Sequence, residues 1–133
     1  MVGLIWFVQV VHYPLYHQVG ISSFALYEAM HTHKTTLVVA APMLLEVFSA
    51  IALLYCRPQW MSAQHAFWGV MLVGIIWIIT AFFSVPDHGK LSAGYDGQIV
   101  NHLVAWNWLR TIAWTLRGLG LAALVIRLSY VSP

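Results

Sequence analysis

Ala66-Phe-Trp-Gly-Val-Met-Leu-Val-Gly-Ile-Ile-Trp-Ile-Ile-Thr-Ala-Phe-Phe-Ser-Val85 is a run of twenty residues without a single charge. At about 1.5 Å per residue a helix of this length reaches roughly 30 Å, the thickness of the hydrocarbon core of a bilayer. The rest of the chain repeats the message. Of its 133 residues 61% are hydrophobic and 8% charged, against about 25% charged in soluble domains. So few charges could not keep a small protein in water, and lipid is the solvent this composition suits.

Outward from that run, three more apolar stretches are visible. Thr36–Tyr55 is broken only by Pro42 and Glu46, and Ile99–Ile126 carries Arg110 and Arg117. Val2–Tyr13 is short for a span. Either its helix continues past a kink at Pro14 toward Val19, or the span is partial, or the reading frame begins upstream of Met1. The expected architecture is all-α: an integral membrane four-helix bundle forming a single transmembrane domain over residues 1–133. Its spans fall near 2–19, 36–55, 66–85 and 99–126. Between the first two, Ser22 or Ser23 could start a short helix that places Phe24, Tyr27, Glu28 and His31 on one face. That pattern suits a helix lying in the membrane interface on the exoplasmic side. Arg57–Gln64 reads as a turn, and Pro86–Gln98 as a loop. Gly118 and Gly120 read as small residues that ease close helix packing.

Four spans place both termini on one side. Arg57, Arg117 and Arg127 lie at or near that side, and Lys34 and Lys90 at the other. The excess of basic residues puts the termini in the cytoplasm, in a bacterial inner membrane. A net charge of +2 excludes nucleic acid as a partner, and the single Cys56 excludes an internal disulfide or a multi-cysteine metal site. Trp6, Trp60, Trp106 and Trp108 are placed either as interfacial anchors or as packing residues.

Polar groups inside such a bundle need a reason. His12, His17, His31, His33, His88 and His102 gather at the exoplasmic face, with Glu28, Asp87 and Asp96. Glu46 and Arg110 each sit about 16 Å below it, near the midplane, where an isolated charge is costly. Their equal depth predicts a buried ion pair or a shared hydrogen-bond network. Gln9, His12 and Tyr16 on the first helix, Thr80 on the third, and Asn107, Arg110, Trp114 and Arg117 on the fourth follow inward-facing stripes. Together they predict a polar cavity open to the exoplasmic side. Glu28-Ala-Met-His31 has the Glu-x-x-His form of carboxylate-bridged di-iron bundles. With His12 and Glu46 it suggests a mononuclear or dinuclear metal site of His12, Glu28, His31 and Glu46.

The strings Trp6-Phe-Val-Gln-Val-Val-His-Tyr-Pro14, Val85-Pro-Asp-His-Gly-Lys-Leu91 and Asn107-Trp-Leu-Arg-Thr111 resemble a family of small four-helix bacterial membrane proteins without an assigned activity. The resemblance implies a fold. A looser likeness to anthrone-oxygenase-like membrane proteins rests on size and helix number, and no catalytic residue is carried over from it.

The sequence supports two functional expectations. One is an accessory subunit of a larger membrane complex, serving electron transfer or photosynthesis and contacting pigment, quinone or lipid supplied by partner subunits. The other is a membrane oxidoreductase for a lipophilic substrate, with His12, Glu28, His31 and Glu46 as metal ligands or as acid and base. Arg110 and Asn107 would then orient a carbonyl or anionic group.

Overall fold

A computed structural model describes residues 1–131, which form helices and turns with no strand among them; the last two residues of the expected single domain lie outside it. Helix α1 spans Val2–Phe7 and runs on into a π-turn, Val8–His12. Two short 3-10 turns, Pro14–Gln18 and Ile21–Ser23, lead into α2, Phe24–Tyr55. Helix α3, Ala63–Ile79, passes through a second π-turn, Thr80–Ser84, into α4, Val85–Leu91. Helix α5 covers Gly97–Val131. Three continuous helical stretches, Ile21–Tyr55, Ala63–Leu91 and Gly97–Ser129, are long and apolar enough to cross a membrane.

Two expected boundaries move. The separate interfacial helix around Phe24–His31 is instead the first turns of α2, because neither glycine nor proline separates His31 from the apolar run at Thr36. Its shared face is the expected one, but it turns inward: Phe24 and Glu28 are buried, Tyr27 and His31 half-buried. The expected loop from Pro86 is helical through Leu91. It turns only at Ser92–Asp96, where Gly94 takes a φ of +149°, a conformation that side chains disfavour.

Both π-turns end shortly before a proline. The Tyr13 amide bonds the Val8 carbonyl five residues back, and the Val85 amide bonds that of Thr80. A prolyl ring in a regular helix clashes with the carbonyl four residues earlier. The wider turn relieves that clash ahead of Pro14 and Pro86, so the chain stays helical through both. It also rotates the next helical segment about its axis, and π-turns are frequent at functional sites.

The helix ends are set locally. Ser62 caps α3 through the His65 amide at 3.3 Å. Asp96 caps α5, its Oδ1 accepting from the amides of Gln98 at 2.8 Å and Ile99 at 3.2 Å. Such caps satisfy amides that a helix start leaves unbonded.

The surface is inverted relative to a soluble protein. On α5, Leu109, Ile112, Leu116 and Leu119 point outward, while Leu103, Asn107, Arg110, Trp114 and Arg117 point inward. Apolar packing forms two layers. Tyr13, Tyr16, Phe24, Leu91, Val100 and Leu103 make one, and Ile5, Met43, Ile76, Ala113 and Trp114 the other. Arg117 staples α5 to α3 by donating to the Gly69 carbonyl at 3.1 Å. Trp6 is a packing residue. Its indole donates to Thr115 at 3.0 Å and meets Trp108 edge-on at 5.8 Å.

Candidate functional site

The first π-turn delivers His12 and Tyr13, the first turns of α2 deliver Glu28 and His31, and the second π-turn sets the register of His88 on α4. These side chains converge. The Glu28 carboxylate, with none of its surface exposed, binds His88 Nδ1 at 2.5 Å. On its far side His88 Nε2 meets the buried Tyr13 hydroxyl at 3.1 Å. The carboxylate accepts, so Nδ1 carries the proton, Nε2 is left as an acceptor, and Tyr13 donates to it. Glu28, His88 and Tyr13 thus form a carboxylate–imidazole–phenol line.

His31 stacks on the His88 ring at 5.3 Å and on His12 at 4.5 Å between centroids. Its Nδ1 is shared by His12 Nε2 at 2.8 Å and the Thr35 hydroxyl at 3.1 Å. Tyr16 closes the cluster edge-on to both His12 and His31. The Tyr16 hydroxyl and Glu28 Oε2 are buried without a hydrogen-bond partner among the described residues.

Beside this cluster lies a cavity of about 380 Å³, within the range of ligand pockets. Tyr13, His31, His88, Ser84 and Arg110 line it with Thr32, Thr35, Thr36 and Thr80. Leu4, Ile5, Val8, Val39 and Met43 line its apolar part. Of the eight residues expected around a polar cavity, Thr80 and Arg110 face this space, and the Thr80 hydroxyl is turned to its own helix at the Ile76 carbonyl, 2.7 Å away. Gln9, Tyr16, Asn107 and Trp114 are buried in the wall, and His12 is half-buried behind His31. Gln9 and Asn107 bond each other at 2.7 Å, one amide against the other, rather than facing the cavity.

Glu46 and Arg110 do not pair. Trp114 stands between them. Its Nε1 donates to Glu46 Oε2 at 2.6 Å, and the Arg110 guanidinium lies over its ring at 5.3 Å. The other Glu46 oxygen is 3.8 Å from the Met1 nitrogen. Arg110 donates to Ser84 at 3.1 Å and lies beside Tyr13. Equal depth fixes how far down a helix a residue sits but not which way it points around it, and a buried indole took the place of the ion pair.

The expected ligand set is not assembled as a whole either. His12, Glu28 and His31 come together with His88, whereas Glu46 lies apart beside Trp114. Among the described residues no three His, Cys, Asp or Glu side chains are grouped to hold a metal ion. Their donor atoms are instead used on one another.

A second dyad flanks the site. Asp87, buried next to His88, binds His102 Nδ1 at 2.5 Å and Lys90 at 3.2 Å. His102 Nε2 in turn accepts from Trp106 at 2.7 Å. Both ring nitrogens of His102 are satisfied, so this dyad ties α4 to α5 and holds His88 in place.

Sequence reasoning missed Tyr13, Ser84 and His88 as site residues. The signal available was the pair of prolines, each two residues past a polar side chain, His12 and Ser84. No protein-family model matches the chain, and no curated protein or solved structure is similar to it.

Proposed function

We propose that the protein is a membrane enzyme that takes a lipophilic substrate into this cavity and exchanges protons with it through Glu28, His88 and Tyr13. The observation that carries the reading is the hydrogen-bonded line from a buried carboxylate, through an imidazole, to a phenol that lines an apolar cavity. The carboxylate fixes the tautomer of His88, which leaves Nε2 bare and facing the Tyr13 hydroxyl to take its proton. Having passed its own proton to His88 Nε2, Tyr13 removes one from the substrate; in the reverse direction it gives its proton to the substrate and regains one from His88. This is acid–base work in a water-poor site, where each electrostatic contact counts for more than in water.

In the full reading the chain makes four passes of a bacterial inner membrane, the first by residues 2–18, with both termini cytoplasmic and the histidine cluster in the exoplasmic half. The line itself moves only protons, and an oxidoreductase reading pairs it with a hydride or electron carrier that binds from outside the chain. The accessory-subunit reading, with photosynthetic or electron-transfer partners, leaves the cavity and the proton line without a task.

The test is chemical complementation. Lipid extracts of a strain lacking the gene are compared with extracts of strains restored by wild type, Tyr13→Phe, His88→Gln or Glu28→Gln. A lipophilic metabolite that accumulates in the deletion, is cleared by wild type and persists in the variants supports the enzyme. Full clearance by all three variants contradicts it. Stable co-purification with larger subunits and no metabolite change favours the accessory role.

A further inference from the structure

The cavity holds one feature that the proton line does not use. Arg110 is 8% exposed and borders a largely apolar space that it shares with His31, His88 and Met1, the Met1 nitrogen lying 3.8 Å from Glu46. It donates a hydrogen bond to a neutral hydroxyl, that of Ser84. Its Nε is buried with no partner, and no carboxylate lies within 4.0 Å of it among the described residues. A buried guanidinium without a counter-charge is expensive in lipid and usually has a functional reason. The indole face of Trp114 offsets only part of that cost. Neither Glu28 nor Glu46 borders the cavity, so neither competes for the guanidinium.

The shape of the space adds a second constraint. Its wall on α2 runs from His31 to Met43, about 18 Å along the helix, and the wall on the second π-turn and α4 runs over about the same length from Thr80 to Ser92. Hydroxyl and imidazole groups occupy the end near His31 and His88, and aliphatic side chains the end near Met43. The space is therefore a slot with one polar end, and Arg110 and Ser84 stand between the two ends.

We propose that the ligand is a single-chain lipophile carrying an anionic oxygen group, with Arg110 as its anchor. The inference rests on the cavity being the substrate site. The carboxylate or phosphate oxygen meets the guanidinium next to Tyr13, and the chain extends along Val39 and Met43. Anionic oxygen acceptors match the planar donor array of arginine, and each bond is charge-assisted. A lipophile with an ammonium head would meet like charge and be rejected.

The experiment uses the full chain in lipid nanodiscs and radiolabelled myristate. Myristyl alcohol, myristylamine and lysophosphatidate compete at equal concentration in the disc, against wild type, Arg110→Gln and Arg110→Lys. Saturable myristate binding is expected, with the alcohol at least about tenfold weaker and the amine without effect. Lysophosphatidate decides which anion is preferred, since it competes better than myristate only if the site takes phosphate. Arg110→Gln loses at least about tenfold in myristate affinity while still binding the alcohol, which shows that its cavity is intact, and Arg110→Lys recovers part of the loss. Equal binding of acid and alcohol by wild type, or undiminished myristate binding by Arg110→Gln, overturns the anionic assignment and leaves the cavity reading standing. No saturable binding of any of these lipophiles to wild type removes the cavity reading and the assignment with it.

Discussion

Glu28 and His88 are sixty residues apart in sequence and joined by a 2.5 Å contact in space. That contact links α2 to α4 inside the bundle and sets the tautomer of the imidazole that faces Tyr13. A neutral His88 in this arrangement has its proton on Nδ1 and a bare, accepting Nε2. Nitrogen-15 NMR of selectively labelled protein is expected to show that pattern for His88. In Glu28→Ala, where Nδ1 has no acceptor, the fixed tautomer is lost and the resonances move toward a mixture.

The same contact is worth a measurable part of the stability. Glu28→Ala leaves His88 Nδ1 without its acceptor and opens a gap beside Tyr16. Loss of a buried hydrogen bond to a charged group costs about 1.5–3 kcal/mol, and a fall in that range is expected in denaturant unfolding of the solubilised protein. Glu28→Gln keeps the volume and one acceptor, so it falls by less.

Trp114 separates two charges expected to meet. A double-mutant cycle on Glu46 and Arg110, which meet only through their shared partner Trp114, is therefore expected to show weak coupling, about 0.5 kcal/mol. A cycle on Glu46 and Trp114 is expected to exceed it, because a 2.6 Å hydrogen bond joins them. If the first cycle gives the larger coupling, the placement of Trp114 is wrong.

Two glycines on α5 answer differently to the same change. A Cβ at Gly118 would come within 2.6 Å of the Val2 side chain, whereas one at Gly120 meets nothing within 4 Å. Gly118→Ala is expected to loosen the packing of α1 on α5 at a cost of about 1–3 kcal/mol. Gly120→Ala is expected to be neutral or to stabilise by up to about 1 kcal/mol through helix propensity. Equal effects on thermal stability would mean that α1 does not dock there. Sequence spacing assigned both glycines to close packing, and the geometry keeps only Gly118.

Hydropathy made the long apolar helices legible, because lipid imposes one strong rule on the whole length of a span. The inward stripe of Asn107, Arg110, Trp114 and Arg117 was legible too, since three-four spacing on one helix needs no knowledge of its neighbours. Rotation about a helix axis was not legible, and every residue whose role depends on it escaped. The π-turns ahead of Pro14 and Pro86 carry the helix through residues that read as breaks, and they re-aim Tyr13 and His88. Pro86–Leu91 therefore looked like loop, and His88 looked like one more surface histidine. Glu46 was drawn into both an ion pair and a ligand set by its depth alone, and the ring of Trp114 claims it instead. The resemblance carried by the three sequence strings implied a four-helix fold, and it could not have placed the cavity.

Occupation of the slot by a lipophile can be read by photolabelling the protein in native lipid with a lipophilic diazirine carrying a carboxylate head, followed by peptide mapping. Adducts are predicted on Val39 and Met43 inside the slot, diminished by excess myristate. Labelling confined to the outward face of α5 at Leu109, Ile112 and Leu116, and indifferent to myristate, would contradict a ligand site between α1, α2 and α4.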